Sequence, residues 1–417
     1  MSSRPLHIAW LGAGPAAKET GGVPGVATEL LRGLAQRGHR IDCHFPGSGH
    51  PLPPRLEGVE NITFIWGTSE WRWSSWYNRT RIGAFVSGLL ARGFASLRLR
   101  RQVTRRHRED PYDVIYQFSN IESLSVPAGL RHAVPLVIHP ETHIMGELRF
   151  MISERRLALR CQPAHTLAIA VAVMSLRSLV QRVSIRRARL LVCISSVFRD
   201  HLIRDYGFPR ERTAVVPNPV QLERFAGADL ARDIGSPPTI LVLGRIAVRK
   251  GVEDVVAVAR ALLERGVDVR ILVIGRTSLF SDYTKLLEDL PGESSEFLGA
   301  IPPAEVPAIL AGSDLLLQAS KYEPFGLTVG EALAAGVPVV ATTEVGAIEG
   351  VDESVVASVS PGDVEGMVAA ITTMLDSLRA RPAELRAKAR SEAERLFAPE
   401  LVCEQISAVL ERVVDGG

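Results

Sequence analysis

The chain has 417 residues, too many for one ordinary domain, so two or three domains are expected. An apolar fraction of 46% and a charged fraction of 23% are those of a soluble globular protein. The cysteines are far apart and form no C-x-x-C pair, which argues against a zinc site or a disulfide framework and fits a reducing compartment: Cys43, Cys161, Cys193 and Cys403.

The net charge of +2 hides an asymmetry between the two halves of the chain. Residues 1–217 contain 30 Lys and Arg against 16 Asp and Glu, whereas the remaining residues contain 18 against 30. Halves of opposite charge suggest two domains that face different partners.

No targeting or spanning segment is predicted. The N-terminus has only a short apolar run before its glycines, so it does not resemble a secretory signal. The longest apolar stretch, "TLAIAVAVM" at Thr166–Met174, is shorter than the roughly 20 residues of a spanning helix. We therefore expect a cytoplasmic protein.

In the first half, predicted strands alternate with helices. The strand "LHIAWLG" precedes a glycine-rich turn and the helix "GVATELLRGLAQRGH", whose apolar residues recur at helical spacing. Further strands are predicted at "HRIDCHF", "YDVIYQF", "VPLVIH", "ARLLVCIS" and "RTAVVPN". This alternation is typical of a parallel α/β sheet.

A turn-rich segment, Val216–Pro238, is predicted as a linker, and the alternation then resumes. Strands are predicted at "TILVLGRI", "VRILVIG", "SEFLGAI", "DLLLQAS" and "VPVVATT". The helix "GVEDVVAVARALLERG" follows the first of these strands, and the chain ends with the amphipathic helix "PELVCEQISAVLERVV". The prediction is two doubly wound, Rossmann-like domains across a cleft. Their bounds are 1–217 and 238–395, with a linker at 218–237 and a C-terminal helix at 396–417 that packs back toward the first domain.

The sequence "GAGPAA" after the first strand is similar to the start of a flavin or nicotinamide fingerprint, with Asp42 as the acid for ribose. That motif requires its helix to begin at the glycines, but "KETGGVPG" intervenes. An oxidoreductase is therefore an alternative only. Another interpretation is that Gly21 and Gly22 let the backbone approach a ligand closely.

Three stretches in the second half follow predicted strands: "GRIAVRKG", "YEPFGLTVGEALAAG" and "TTEVGAIEG". They should therefore meet at the carboxyl edge of one sheet, where ligands bind. Arg245 and Lys250 in "GRIAVRKG" suit a diphosphate. In "EPFGLTVGE" a helix is predicted to begin between Phe325 and Leu327, with free amides directed into the cleft. Glu323 and Glu331 are eight residues apart and suit paired sugar hydroxyls.

Nearly the whole chain resembles the retaining nucleotide-sugar glycosyltransferases of family 4, which have the GT-B fold. The resemblance rests on "GGVPGVATELLRGLAQRGH", "LVLGRIAVRKG" and the E-x7-E stretch "EPFGLTVGEALAAGVPVVAT". It implies transfer of a sugar from a nucleoside-diphosphate sugar to an acceptor hydroxyl, with retention at the anomeric carbon. A non-catalytic binding protein on the same frame is a further alternative.

The resemblance also implies roles for individual residues. Glu331 would hold the donor's ribose and Glu323 the transferred sugar, while Arg245 and Lys250 would neutralise the diphosphate. His139 would lie near the sugar, although His143 competes for that assignment. The remaining donor contacts would come from Gly21, Gly22, Phe325, Gly326 and Leu327.

No cofactor is expected, because the nucleotide sugar is a co-substrate. No D-x-D motif is present to hold a metal, and an Arg/Lys clamp can replace one, so metal-independent activity is predicted. The stretch "VGAIEG" departs from the family pattern at Ala347 and Glu349, which leaves the donor's identity open.

Two basic stretches in the first half suggest an acceptor side. Trp71–Arg108 contains ten arginines and no acid, and Arg149–Arg189 contains nine arginines and one acid. They indicate either solvated helix faces, a soluble anionic acceptor, or peripheral contact with the inner face of a membrane. The acceptor class is thus a soluble glycoside, a natural product or a lipid-linked molecule. No nucleic-acid module is recognisable.

Overall fold

The computed structural model describes residues 4–15, 22–67, 96–118, 126–276 and 283–416. Gly21 and most of the first basic stretch lie outside these ranges. Within them the chain forms two wholly parallel sheets with helices on both faces, the predicted α/β architecture of two doubly wound domains.

The first sheet has the strand order β3-β2-β1-β4-β5-β6-β7. Within the described residues its strands are β1 His7–Gly12, β2 Arg40–Phe45, β3 Ile62–Trp66, β4 Val114–Phe118, β5 Leu136–His139, β6 Leu190–Cys193 and β7 Thr213–Val215. The accompanying helices are α1 Val23–Gln36, α2 over 96–109, α3 Ala128–Ala133, α4 Ile144–Ser153, α5 Arg155–Cys161, α6 Ala164–Ile185 and α7 Ser196–Tyr206.

The second sheet repeats this topology in the order β10-β9-β8-β11-β12-β13. Its strands are β8 Thr239–Leu243, β9 Arg270–Ile274, β10 Ser295–Gly299, β11 Leu315–Gln318, β12 Val339–Thr342 and β13 Val356–Val359. The accompanying helices are α8 Val252–Glu264, α9 Val306–Gly312, α10 Leu327–Ala334, α11 Val364–Ala380, α12 Pro382–Phe397 and α13 Pro399–Val414.

The strand order positions the site. Each sheet reverses its order beside its first strand, between β1 and β4 and between β8 and β11. Ligands bind in such sheets at the carboxyl ends of the strands where this reversal occurs. Strands β11 and β12 are buried along their whole lengths, because both faces of the sheet are covered by helices.

The last helix, α13, lies on α1 of the first domain. Val402, Cys403 and Ile406 share an apolar cluster with Leu30. His39 Nε2 lies 2.6 Å from the hydroxyl of Ser407, a buried polar contact between the first domain and α13. The C-terminus of the chain therefore contributes to the core of the first domain.

Helix α6 is longer than the nine-residue apolar stretch suggested. It has 22 residues because the helix continues through Arg177 and Arg182. Its most apolar window has a mean hydropathy of 1.4, so the helix is long and apolar enough to cross a membrane, although core helices of soluble proteins pass the same test. About a third of that window is buried, and Met174 packs against Leu148 of α4.

Candidate functional site

Three charged side chains from neighbouring strand ends form an ion cluster in the second domain. Arg249 and Lys250 lie in a short 3-10 turn after β8, and Glu323 follows β11. Lys250 Nζ contacts Glu323 Oε2, and Arg249 Nη1 donates to the same oxygen at 3.1 Å. Burial alone would raise the carboxyl pKa of Glu323, but the two cations outweigh it and lower the pKa to about 2. Glu323 is therefore ionised at neutral pH.

The two cations predicted from "GRIAVRKG" have different environments. Lys250 is mostly buried beside Glu323, whereas the side chain of Arg245 is exposed. Both line a shallow pocket with Gly244, Ile246 and Gln318 at the end of β11. Arg245 and Lys250 thus face the same small opening, as two cations must if they are to bind one diphosphate.

Helix α10 begins at Leu327, within the predicted range. Gly326 is its N-cap and has a φ of 97°, a left-handed conformation that favours glycine. Phe325 is buried edge-to-face against Phe397, and its carbonyl accepts from Ala347 at 2.8 Å. The first amides of the helix have no intrahelical acceptors, and they form the positive end of the helix dipole. Because the N-cap Gly326 packs next to the side chain of Glu323, this positive end lies beside Glu323.

Glu331 lies within α10, away from the ion cluster of Glu323. Its Oε1 is 3.6 Å from Arg224 Nη1, and that arginine also donates to the carbonyl of Pro303 at 2.8 Å. Burial raises the carboxyl pKa of Glu331 to about 7, and Arg224 only partly offsets this effect. The two glutamates of the E-x7-E stretch thus have different partners and opposite pKa shifts.

The two candidate histidines are both fully buried but belong to different networks. His139 ends β5, with its Nδ1 2.5 Å from Tyr116 Oη and its Nε2 3.3 Å from Glu141 Oε1. Burial lowers the pKa of His139 to about 3, so its imidazole is neutral. His143, the N-cap of α4, instead places Nδ1 2.8 Å from Tyr322 Oη in the second domain.

The glycine loop of the first domain is described only at its end. Gly22 is the N-cap of α1, with a φ of 74° and no atom within 4 Å of the position of a Cβ. It therefore borders open space, while Gly21 lies outside the described residues.

The oxidoreductase alternative finds no support at the same loop. Strand β1 ends at Gly12 and α1 begins only at Val23, so the helix does not start at "GAGPAA". Asp42 is fully buried and accepts hydrogen bonds from Arg106 at 2.8 Å and Tyr112 at 3.0 Å. His7, Arg106 and Tyr112 together lower the pKa of Asp42 against the opposing effect of burial. These partners leave Asp42 unsuited to bind a ribose.

Glu349, in the stretch that departs from the family pattern, binds the first domain. Its two carboxylate oxygens accept from the amides of Ser196 and Val197 at 2.9 Å each. These amides begin α7, so the negative charge also meets the positive end of the helix dipole. Glu349 is therefore an interdomain contact.

Sequence reasoning missed two arginines of the site, Arg249 and Arg224. Arg249 adjoins Lys250 in the stretch "GRIAVRKG", and its charge was a signal that could have been used. Arg224 lies in the predicted linker, about a hundred residues before Glu331, and nothing in the local sequence connects them. Within the described ranges, no group of three or more His, Cys, Asp or Glu side chains could hold a metal ion.

The two wholly parallel, doubly wound sheets define a two-domain α/β class of structure, the GT-B fold. The model "Glycosyltransferase Family 4" matches residues 20–224, and the model "Glycosyl transferases group 1" matches residues 232–395. Together these matches span most of the chain, which belongs to the GT-B glycosyltransferases of the family 4 type.

Several known proteins are similar to this chain. Glycogen synthase of Mycobacterium tuberculosis is 29% identical over 220 residues, which are 51% of this chain and 50% of that protein, so the match spans about half of that relative. Sucrose-phosphate synthase from Thermosynechococcus elongatus has the same fold, with a TM-score of 0.66 and 19% identity over 99% of this chain and 100% of that one. Anabaena HepE, solved with UDP and glucose, has a TM-score of 0.63 and 20% identity over 97% of this chain and 99% of that chain.

Proposed function

We propose that the protein transfers a sugar from a nucleoside-diphosphate sugar to an acceptor hydroxyl, with retention of anomeric configuration and without a metal ion. The observation that carries this proposal is the contact of Lys250 with Glu323 at the N-terminus of α10. It brings a cation, a carboxylate able to accept from sugar hydroxyls and the first amides of a helix to one strand end. The UDP and glucose bound to the HepE structure support the choice of donor class.

The chemistry follows from where charge develops. The bond between the anomeric carbon and the phosphate oxygen breaks, and negative charge accumulates on the leaving diphosphate. In this proposal Arg245, Lys250 and the amides of Phe325, Gly326 and Leu327 face the diphosphate, so they would stabilise the transition state more than the ground state. The acceptor oxygen bonds to the carbon on the same face, and its proton passes to the leaving phosphate oxygen.

Each carboxylate has a separate part in this proposal. Glu323 is ionised and can accept from the hydroxyls of the transferred sugar. Glu331 would accept from the ribose hydroxyls, for which its carboxyl must be deprotonated. His139 is buried at the end of β5 and its imidazole is neutral. We therefore propose that it lies near the sugar as an uncharged side chain.

The proposal is tested by incubating the protein with a panel of nucleotide sugars, first without acceptor, and measuring nucleoside diphosphate release. UDP-sugars come first in the panel. We expect release from one donor that falls at least tenfold in Glu323→Gln. Binding of a nucleotide sugar without release, with or without candidate acceptors, would favour the non-catalytic binding protein instead.

For the acceptor side, we propose a cytoplasmic enzyme that contacts an anionic membrane surface through the outer face of α6. Leu176, Leu179 and Val183 recur at helical spacing, and their side chains are 42%, 58% and 41% exposed. Exposed Arg182 and Arg186 flank them. Leucines enter the acyl boundary and each arginine near it is attracted to anionic lipid by about 1 kcal/mol, so this face favours a lipid-linked acceptor.

A further inference from the structure

Tyr322, the residue before Glu323, has its side chain in the first domain. The side chain is fully buried, and its ring stacks against His201 of α7, with centroids 5.1 Å apart and planes at 12°. It also stacks against Phe150 of α4, at 5.7 Å and 14°. Its hydroxyl lies 2.8 Å from His143 Nδ1. An aromatic side chain of the second domain thus fills a pocket made by two helices of the first.

This pocket requires a glycine in its wall. A Cβ at Gly146 of α4 would lie 2.7 Å from His143 Nδ1, 2.8 Å from Tyr322 Cε1 and 2.9 Å from Tyr322 Cζ, closer than atoms of a packed side chain normally come. The opposite side of His143 is also held, because its Nε2 lies 3.1 Å from Asp205 Oδ2. Both the shape of the pocket and its hydrogen-bonding group therefore match a tyrosine.

The backbone of Tyr322 is tied to the ion cluster of Glu323. Arg249 Nη1 donates to the Tyr322 carbonyl at 3.2 Å and to Glu323 Oε2 at 3.1 Å. The same guanidinium has its Nε 3.6 Å from Glu147 Oε1, on the helix that carries Gly146. Any shift of Tyr322 relative to α4 therefore moves the carbonyl and the carboxylate that Arg249 binds.

We infer that Tyr322 is a positioning residue that couples the approach of the first domain to the placement of Glu323. When the two domains approach, the ring enters the pocket and fixes the chain one residue before the carboxylate. This inference rests on the proposed role of Glu323 toward the transferred sugar. The nucleoside diphosphate would be bound by Arg245, Lys250 and Glu331. Their side chains form no hydrogen bond or ion pair with Tyr322 within the described residues, so the affinity for the diphosphate should be independent of the pocket.

The test changes the pocket from both sides. Gly146→Ala introduces a methyl group against the ring and against His143 Nδ1, the partner of its hydroxyl. Tyr322→Phe removes only the hydroxyl, and Tyr322→Leu removes the stacking. Gly129→Ala is the matched control, because a Cβ at this helical glycine of α3 meets no atom within 4 Å. For each protein we would measure the kcat of transfer, the Kd of the nucleoside diphosphate by calorimetry, the Tm, and the interdomain separation by small-angle X-ray scattering.

We expect Gly146→Ala and Tyr322→Leu to lower kcat by about 10- to 100-fold, as an ångström-scale misplacement does, and to widen the interdomain separation. The Kd of the nucleoside diphosphate should stay within twofold, and Tyr322→Phe should retain more activity than Tyr322→Leu. A wild-type kcat in both Gly146→Ala and Tyr322→Leu would overturn the inference. A weaker affinity for the nucleoside diphosphate that parallels the loss of kcat would also overturn it.

Failure of the proposed function gives a different result. If wild-type protein transfers no sugar, the scattering arm still decides whether Tyr322 holds the domains together. An unchanged separation in soluble, folded Gly146→Ala and Tyr322→Leu would then overturn the coupling. If Tyr322→Leu does not fold, the separation in Gly146→Ala alone decides the same question.

Discussion

The hydroxyl of Ser195 donates to the carbonyl of Pro324 at 2.7 Å, so the N-cap of α7 in the first domain contacts the loop that carries Glu323. The next two amides of α7 donate to Glu349, which follows β12. Two neighbouring strand ends of the second sheet thus meet the start of a single helix. These contacts are polar, and they hold the loop that carries Glu323 against the first domain.

Glu349→Ala should destabilise the protein without affecting the donor. The variant leaves two helix amides without their charged acceptor, and hydrogen bonds to charged groups contribute about 1.5–3 kcal/mol. We expect a lower Tm and a donor KM within twofold of wild type, with the exposed Glu353→Ala as the control. A tenfold higher KM at unchanged Tm would instead make Glu349 the donor-contacting acid of its loop.

The ion cluster of Glu323 predicts a specific sensitivity to acid. The folded-state pKa is lowered from 4.5 to about 2, so between these values the unfolded chain binds more protons than the folded one. The stabilisation is therefore complete above pH 4.5 and is lost as the pH falls toward about 2. Urea unfolding of wild type and Glu323→Gln across pH 2.5–6 measures this (about half-unit steps suffice). A difference between the two proteins that does not change with pH would contradict it.

Much of the fold could be predicted because apolar strands and amphipathic helices alternate regularly. Eleven of the thirteen strands in the described residues were predicted, and both missed strands lie at sheet edges. In β3, Ile62–Trp66, each residue is partly exposed, and β13, Val356–Val359, has only four residues. An edge strand pairs on one side only, so fewer of its residues are buried. Its apolar pattern is therefore too weak to distinguish the strand from a turn in the sequence.

The site was predictable where its residues follow strands and not where they meet across the cleft. The ends of β8 and β11 had to converge, which brought Lys250 to Glu323. Tyr322 is the residue before Glu323, yet its ring lies in a pocket of the first domain. Local sequence contains no information on such a contact, because it depends on how two separately folded domains dock.

Glu331 predicts the pH dependence of donor binding. Its pKa is raised to about 7, so the carboxylate that would accept from the ribose hydroxyls forms only as the pH rises through 7. We expect the donor KM to fall several-fold between pH 5.5 and about 8. Glu331→Gln should flatten this profile. It should also raise KM by a factor that corresponds to a loss of about 1–3 kcal/mol in the free energy of donor binding. Wild-type kinetics in the variant would remove Glu331 from the donor site.

The same shift has a consequence for stability with the opposite sign to that of Glu323. The folded state binds the Glu331 proton more tightly than the unfolded state, so wild type loses stability as the pH rises from 4.5 to about 7. Glu331→Gln should remove part of this slope and be relatively more stable at pH 8. Burial also raises the pKa of Glu141 to about 7. Because Glu141 is present in both proteins, its contribution to the pH dependence of stability cancels in the comparison.

Activity should persist in a chelator. In the proposed mechanism, Arg245, Lys250 and the start of α10 would supply the positive charge that a divalent cation otherwise provides to the leaving diphosphate. We expect an unchanged initial rate in excess EDTA, measured as nucleoside diphosphate release. A rate that fell to background and returned with manganese or magnesium would disprove the cation clamp.

Vesicle binding tests the outer face of α6. We expect wild-type protein to co-sediment at low salt with vesicles containing phosphatidylglycerol, and to dissociate at high salt because the arginine contribution is screened. Leu179→Glu should weaken this binding by tenfold or more, since a buried leucine contributes about 1.5–3 kcal/mol and a carboxylate repels the anionic surface.

Leu401→Glu on α13 is the matched control, because Leu401 is 43% exposed but lies on a helix outside this face. Both variants should keep the wild-type Tm, which excludes a general loss of structure. Light scattering separates the remaining alternative. If the protein does not sediment with anionic vesicles but self-associates, and Leu179→Glu abolishes that association, then the face binds a second copy of the chain and the membrane proposal is wrong.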